Sequence, residues 1–568
     1  MLAPVCEHRL AEHSHGVPWR THLVRKVWRL ARGTACAACD DSAAVPRRYY
    51  GGRPMKQLPV ASSLATAPML RGPALFIGPV SLTLVAALAV YWPALGRFGL
   101  SHSEGHRAIP GWAMLEDGLS LLPRLFETLY LRKPPGMPWA IAGASWLLGE
   151  TEFAARSVSA LASTVAALVS CLVACLWFGR RAGAVAGVAF CLTPLFIYPG
   201  RSAEIEALNN LFTLLSMLGV IHVTLGPSFR PLATFATVVA ICLMLIVKGP
   251  AGLPCVFASL VAAGIASGRL GGLVRRVRTW IIMLVPLMVF AAFLLASRRA
   301  WEATGEQAIT EPPSHFLWNP AKLGAIVGLP VIALASALPH GLALPLSFMS
   351  PPLRGHADTR ARAVRLACLV SLVAYALVGV ANPRYAMPAL AILPLCCGML
   401  AAQWSTPPSL SPRARRVAAQ VTWCGLVALL IGAWAHAAWI EYRRGWRTSG
   451  RDAGIALASH LPDGAVVHAF ELIDVRPEVA WYAQREARTH GRQVRVVWDP
   501  YPGVFGRSDP PSLPPAGHFL LLRTDAGRRD QYPAEVPEYQ RGGLFDGLGP
   551  PVAVGRVHQF EFMLFRVP

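Results

Sequence analysis

Residues 157–181 read SVSALASTVAALVSCLVACLWFGRR. The first 22 carry no charge and reach the ~20 apolar residues that a helix needs to cross a bilayer; Arg180 and Arg181 then follow. Outward from this stretch, comparable apolar segments recur at 75–95, 183–198, 207–225, 231–247, 250–266, 279–297, 322–345, 364–381, 384–402 and 418–440. Shorter ones at 137–149 and within 340–350 read as interfacial or re-entrant. The pattern predicts a polytopic α-helical membrane protein with about eleven crossings, in a range of about nine to thirteen.

Composition points the same way. Of 568 residues, 54% are hydrophobic and only 15% charged, with a mean hydropathy of +0.43. Soluble domains carry about a quarter charged residues, and disordered chains hold far less apolar sequence. The net charge of +22, from 53 Lys and Arg against 31 Asp and Glu, would suit a nucleic-acid binder only without so much apolar sequence. In a membrane protein the cations collect on cytoplasmic loops and around anionic lipid groups. Most of the 12 cysteines lie inside apolar runs, where they act as small hydrophobes. Cys36 and Cys39, with His8, His13 and His15 upstream, form a single CxxC without a partner pair, a weak zinc signal.

Charge also predicts orientation and domains. Residues 1–73 read as a basic, disordered cytoplasmic leader, with Met55 and Met69 as alternative starts just ahead of the first apolar segment. Alternation then puts Arg180-Arg181, the 227–231 loop, Arg275 to Arg278, Arg354 to Arg365 and Arg413 to Arg416 on the inner side, as the positive-inside rule requires. The outer side receives the long loop 96–156, the 199–206 connection, the 248–250 corner, the 298–320 loop and the 382–385 turn. Residues 74–440 make the transmembrane domain. Residues 441–568 alternate short strands (Val466 to Phe470, Phe519 to Arg523, Gln559 to Arg566) with a helix over Glu478 to Ala487. That order predicts a small extracytoplasmic α/β domain.

Charged groups at membrane helix ends are costly and are functional candidates. Four clusters fall on the outer side. In Ser101 to Arg107, Glu104 could serve as a base while Arg107 holds an anion, or the two could make a solvated salt bridge. In Tyr130-Leu131-Arg132-Lys133-Pro134-Pro135, the prolines fix where Lys133 points, and its ammonium suits either a phosphate or the lipid interface. In Arg201-Ser202-Ala203-Glu204-Ile205-Glu206, the acids could hold a substrate or cation, or favour the dipole of the next helix. The last pairs Lys248-Gly249-Pro250 with Asn382-Pro383-Arg384-Tyr385. Arg107, Lys133, Lys248 and Arg384 together would make a phosphate-binding group, if the fold brings them together.

The order of these motifs, with Leu148 to Arg156 between them, resembles the GT-C membrane glycosyltransferases, specifically the lipid A aminoarabinose transferases and protein O-mannosyltransferases. The likeness covers about residues 75–400. It implies inverting transfer of a sugar from a polyprenyl-phosphate donor to an envelope lipid, glycan or protein acceptor. The site would face outward from the cytoplasmic membrane, or into a periplasm. The family's first-loop acid maps to Glu104, and a second acidic position to Glu206 with Glu204 as the fallback. Arg107, Lys133, Lys248 and Arg384 would hold the donor phosphate; Tyr130, Arg201 and Tyr385 would position substrate. Two positions depart from the pattern: Ser103 precedes Glu104 where an acid is usual, and Arg132 stands where the aminoarabinose transferases carry a metal-linked glutamate. No cofactor is therefore assigned; a divalent metal stays open and zinc is disfavoured. A multi-span transporter or lipid flippase is the alternative, and it would place its charges near the bilayer midplane on broken helices.

Overall fold

A computed structural model describes residues 74–226, 230–273, 275–306, 308–309, 323–377, 383–404, 425, 428–429, 431–440, 442, 450–471, 476–500, 513–525, 548–557 and 560–568. The chain divides into two units, Met1–Leu70 and Arg71–Pro568, and every described residue belongs to the second. The leader, the CxxC with its histidines, and residues 418–424, 426–427 and 430 of the 418–440 segment lie outside the described residues.

Helices dominate the described residues between 74 and 404: α1 (Ala74–Tyr91), α2 (Gly105–Asp117), α3 (Gly136–Leu148), α4 (Glu152–Phe178), α5 (Arg180–Leu192), α6 (Pro194–Gly200), α7 (Ile205–Leu225), α8 (Pro231–Lys248), α9 (Leu253–Ala266), α10 (Val277–Thr304), α11 (Leu323–Ser336), α12 (Ala343–Met349), α13 (His356–Leu377), α14 (Met387–Leu390) and α15 (Leu393–Trp404). Helix α4 begins where Thr151 caps it, the hydroxyl accepting from the Ala154 N–H at 3.1 Å. Proline stands at the first position of α6 and α8, where a missing N–H costs nothing.

The span count differs from the sequence reading. Among the described residues four helical stretches are long and apolar enough to cross a membrane, or up to six if two bent pairs each count once. The segments at 231–247 and 250–266 run together as Pro231–Ala266, because a single 3-10 turn, Gly249–Gly252, carries the chain through Lys-Gly-Pro. The 183–198 and 384–402 segments are each broken, by 63° and 41°. The 322–345 segment yields a helix of only 14 residues before a turn at His340–Leu342. Apolar composition alone registers none of these breaks.

After residue 450 come α16 (Gly450–Ala458), β4 (Val466–Glu471), α17 (Pro477–Thr489), β5 (Arg495–Pro500), β6 (Phe519–Asp525), β7 (Ala553–Val557) and β8 (Phe560–Arg566). The sheet runs β5-β4-β6-β8-β7: parallel through β5, β4 and β6, antiparallel through β8 and β7. A second, small sheet joins β1 (Arg124–Leu125) and β2 (Thr128–Tyr130) of the long loop to β3 (Ala308–Ile309), beyond α10. The larger α/β layer has a small cluster of its own at Leu520, Leu548 and Val567, and shares its larger one. Val479, Trp481, Tyr482, Val467 and Phe519 share one apolar cluster with Leu100, Trp112, Ile141 and Ile205. That continuity places the sheet and α17 directly behind the first loop.

Candidate active site

The site is built on a buried knot. Arg156, one turn into α4, is fully buried and commits every N–H of its guanidinium. Nε and Nη2 donate to the two oxygens of Glu104 at 2.8 Å each. Nη1 donates to the carbonyls of Leu95 and Phe98, and Nη2 to that of Gly99, all at 2.7 Å. Glu104 also accepts from the Ala203 N–H at 2.8 Å and from the Ser101 N–H at 2.9 Å. This one ion pair therefore ties the first loop, α4 and the 199–206 connection together.

The sequence reading takes Glu104 as the proton acceptor; the structure places its carboxylate in this ion pair. Its side chain has no exposure, and both oxygens are filled by charged or backbone donors. Such a carboxylate takes a proton only by abandoning Arg156. Arg201 is buried, and it donates to the carbonyls of Val90 and Pro93 at 2.6 Å, closing the end of α1.

The other predicted residues do gather. Glu204 is the N-cap of α7 and Glu206 lies in its first turn. Lys248 ends α8, and its Nζ stands 3.3 Å from Glu206 Oε1. Arg384 bridges both acids: Nε is 3.0 Å from Glu206 Oε1, and Nη2 pairs with Glu204 Oε2. The exposed Tyr385 ring lies over Lys248, with Nζ 5.1 Å from its centroid. From the first loop, Ser103 Oγ donates to Glu204 Oε1 at 2.8 Å. One turn further on, Arg107 Nη1 donates to the Tyr130 hydroxyl at 3.3 Å, and Arg107 is close enough to Arg384 to feel its charge.

Lys133 and Arg132 lie half-buried in the stretch between β2 and α3. A Cβ on Gly136 would stand 2.7 Å from the Ile246 carbonyl and 2.9 Å from the Val247 Cα. Only glycine lets this loop press onto the last turn of α8, one residue before Lys248. The Lys133 loop thus borders the Lys248 end of the site.

Four residues escaped the sequence reading: Ser103, Arg156, Glu152 and Tyr482. The Tyr482 hydroxyl donates to Glu152 Oε1 and accepts from the Leu100 N–H, both at 2.7 Å. Burial, then the Glu152 charge, pushes its phenol well above the ordinary range, so it stays protonated. Arg156 carried a usable signal, an arginine within one turn of an uncharged span. Glu104 also showed a signal in advance, since Ser101 and Glu104 have the spacing by which a side chain reaches back to the start of a helix. Among the described residues no three His, Cys, Asp or Glu side chains gather as metal ligands.

Comparison with known structures follows from this geometry. ArnT from Cupriavidus metallidurans, bound to undecaprenyl phosphate, superposes with a TM-score of 0.58 at 16% identity, over 86% of this chain and 98% of that one. The chain has the ArnT fold. Apo ArnT from the same organism gives 0.54 at 17% identity over the same shares. The sequence profile of the dolichyl-phosphate-mannose-protein mannosyltransferases matches residues 132–296. No curated protein sequence matches significantly. The chain thus resembles GT-C glycosyltransferases of the ArnT and protein-mannosyltransferase kind.

Proposed function

We propose that the protein is an inverting glycosyltransferase. It moves a sugar from a polyprenyl-phosphate donor to an envelope lipid, glycan or protein acceptor at the outer face of the cytoplasmic membrane. The observation that carries this reading is the convergence of Glu204, Glu206, Lys248 and Arg384 from three distant parts of the chain. Glu204, Glu206 and Arg384 sit where helical segments begin, not at helix midpoints, which favours interfacial chemistry over transport.

The acceptor hydroxyl attacks the anomeric carbon opposite the phosphate. The carbon–oxygen bond to phosphate breaks, and its electron pair leaves on the phosphate oxygen. Glu204 takes the hydroxyl proton. Its side chain is buried, and it already accepts a bond from one hydroxyl, that of the half-exposed Ser103, while its other oxygen pairs with Arg384. Glu206 accepts from both Lys248 and Arg384, so its role is to aim those cations at the departing phosphate. Arg107 and Lys133 add positive charge from the first loop, and Tyr130 and Tyr385 hold Arg107 and Lys248 in place. Because these cations supply the charge stabilisation, turnover is expected to survive a metal chelator.

Purified protein in nanodiscs, given undecaprenyl-phosphate-linked mannose, glucose or aminoarabinose with an envelope-lipid extract, should release undecaprenyl phosphate. Glu204→Gln and Lys248→Ala should each cut the rate by about 10²–10³. Intact donor after long incubation, with lipid merely moved between leaflets, would establish the flippase instead.

A further inference from the structure

We propose that α17 is a positioning element for the first loop and that Tyr482 is its positioning residue. The proposal rests on the transferase reading above, since the loop it places carries Ser103 and Arg107. Three contacts converge on the loop from a helix that lies far along the chain. The Tyr482 hydroxyl, buried in the shared core, bridges the Leu100 N–H to Glu152 Oε1 at 2.7 Å on each side. Trp481 stacks on Trp112 of α2 with ring centroids 4.3 Å apart and planes at 27°. At Gly105, between Ser103 and Arg107, a Cβ would meet Pro477 Cγ at 3.0 Å and Glu478 Oε2 at 3.1 Å. The start of α17 is therefore in direct contact with the turn that presents Ser103.

These contacts lie in sequence order along the loop. Tyr482 fixes its entry at Leu100, Pro477 and Glu478 back its turn at Gly105, and Trp481 holds the helix that leaves it. Between the first two fixed points, Ser103 Oγ meets Glu204 Oε1 at 2.8 Å. The loop is also held by Glu104 and Arg156: Arg156 fixes the carbonyls of Leu95, Phe98 and Gly99, and Glu104 accepts from the Ser101 N–H at 2.9 Å. The Leu100 amide, at the hinge between those carbonyls and the Ser103 turn, is held by Tyr482 alone among the hydrogen bonds described here. A hydrogen bond at that hinge sets the angle at which Ser103 approaches Glu204, and a displacement of about 1 Å near reacting groups costs up to ~10²-fold in rate.

Tyr482→Phe keeps the ring and its apolar packing and deletes only the bridging oxygen. It should lower kcat by about ten- to a hundredfold while the KM for the lipid-linked donor stays within about twofold. Hydrogen exchange at the amides of residues 100–107 should accelerate in the same variant. Trp481→Phe, which weakens packing but leaves the bridge, should lower the melting temperature more than it lowers kcat. If Tyr482→Phe turns over like the parent per folded molecule, or if its exchange at 100–107 is unchanged, Tyr482 is not a positioning residue. Should the parent protein transfer no sugar at all, the transferase reading falls, and the exchange experiment still decides whether α17 holds the loop.

Discussion

A guanidinium with five committed donors cannot be exchanged for an ammonium with three, and Arg156 is in that position. Its partner is equally constrained. Glu104→Ala would leave the Arg156 charge buried without its counter-ion, and removing one member of such a pair costs about 3–5 kcal/mol. Thermal unfolding in detergent should show a large fall for Glu104→Ala or Arg156→Lys. It should show a smaller one for the double Leu variant, which buries no lone charge. A Glu104→Gln protein that melts like the parent but has lost turnover would return the base role to Glu104. At this scale the sequence was informative about which residues matter and weak on what each does. Glu104 stood out as an acid near a membrane boundary, yet its partner lies 52 positions away and no spacing rule connects them. Glu204, Glu206, Lys248 and Arg384 were legible because each adjoins a break between apolar runs. Their meeting was not, since it depends on how α7 and α8 pack.

Elements place these residues through close backbone approach. The Lys133 loop rests on α8 at a point where Gly136 leaves no room for a Cβ. Gly136→Val would force the loop off the Lys248 end, because its neighbours there are backbone atoms of a helix and cannot yield as a flexible side chain would. The expected result is a rise in donor KM of at least about tenfold, a loss of roughly 1.4 kcal/mol in binding, with α8 itself intact by circular dichroism. An unchanged KM would separate the Lys133 loop from donor binding. Helix existence was readable from apolar runs, while helix continuity was not. The run at 231–266 looks like two segments with a corner, and the chain passes the corner in one tight turn. The run at 183–198 looks like one segment, yet Thr193 is extended and Pro194 starts a new helix. Proline and glycine mark such places without saying whether the chain bends, breaks or continues.

For the whole molecule, the charge pattern of the sequence assigns the basic loops and the candidate site to opposite sides. If the positive-inside assignment holds, a cysteine replacing the exposed Arg488 of α17 will react with an impermeant maleimide on intact cells. One replacing the exposed Arg181 will react only after the cells are opened. The reverse pattern would invert the topology and put the site in the cytoplasm. The shared core beneath α17 shows what the sequence reading of residues 441–568 as a domain could not see. Their strand pattern is local and visible, whereas the apolar face they share with Leu100, Trp112 and Ile141 is contributed by residues hundreds of positions earlier.

That long separation bears on how the protein is made. Tyr482 reaches its partners across 330 and 382 positions, so the ribosome must deliver nearly the entire polypeptide before the Leu100 hinge is secured. Until then the nascent chain can insert its helices and close the Arg156 knot, but its Ser103 turn lacks a backing. Translation products cut short before α17 would thus enter the membrane with that turn unbraced, and completion of synthesis itself would set it.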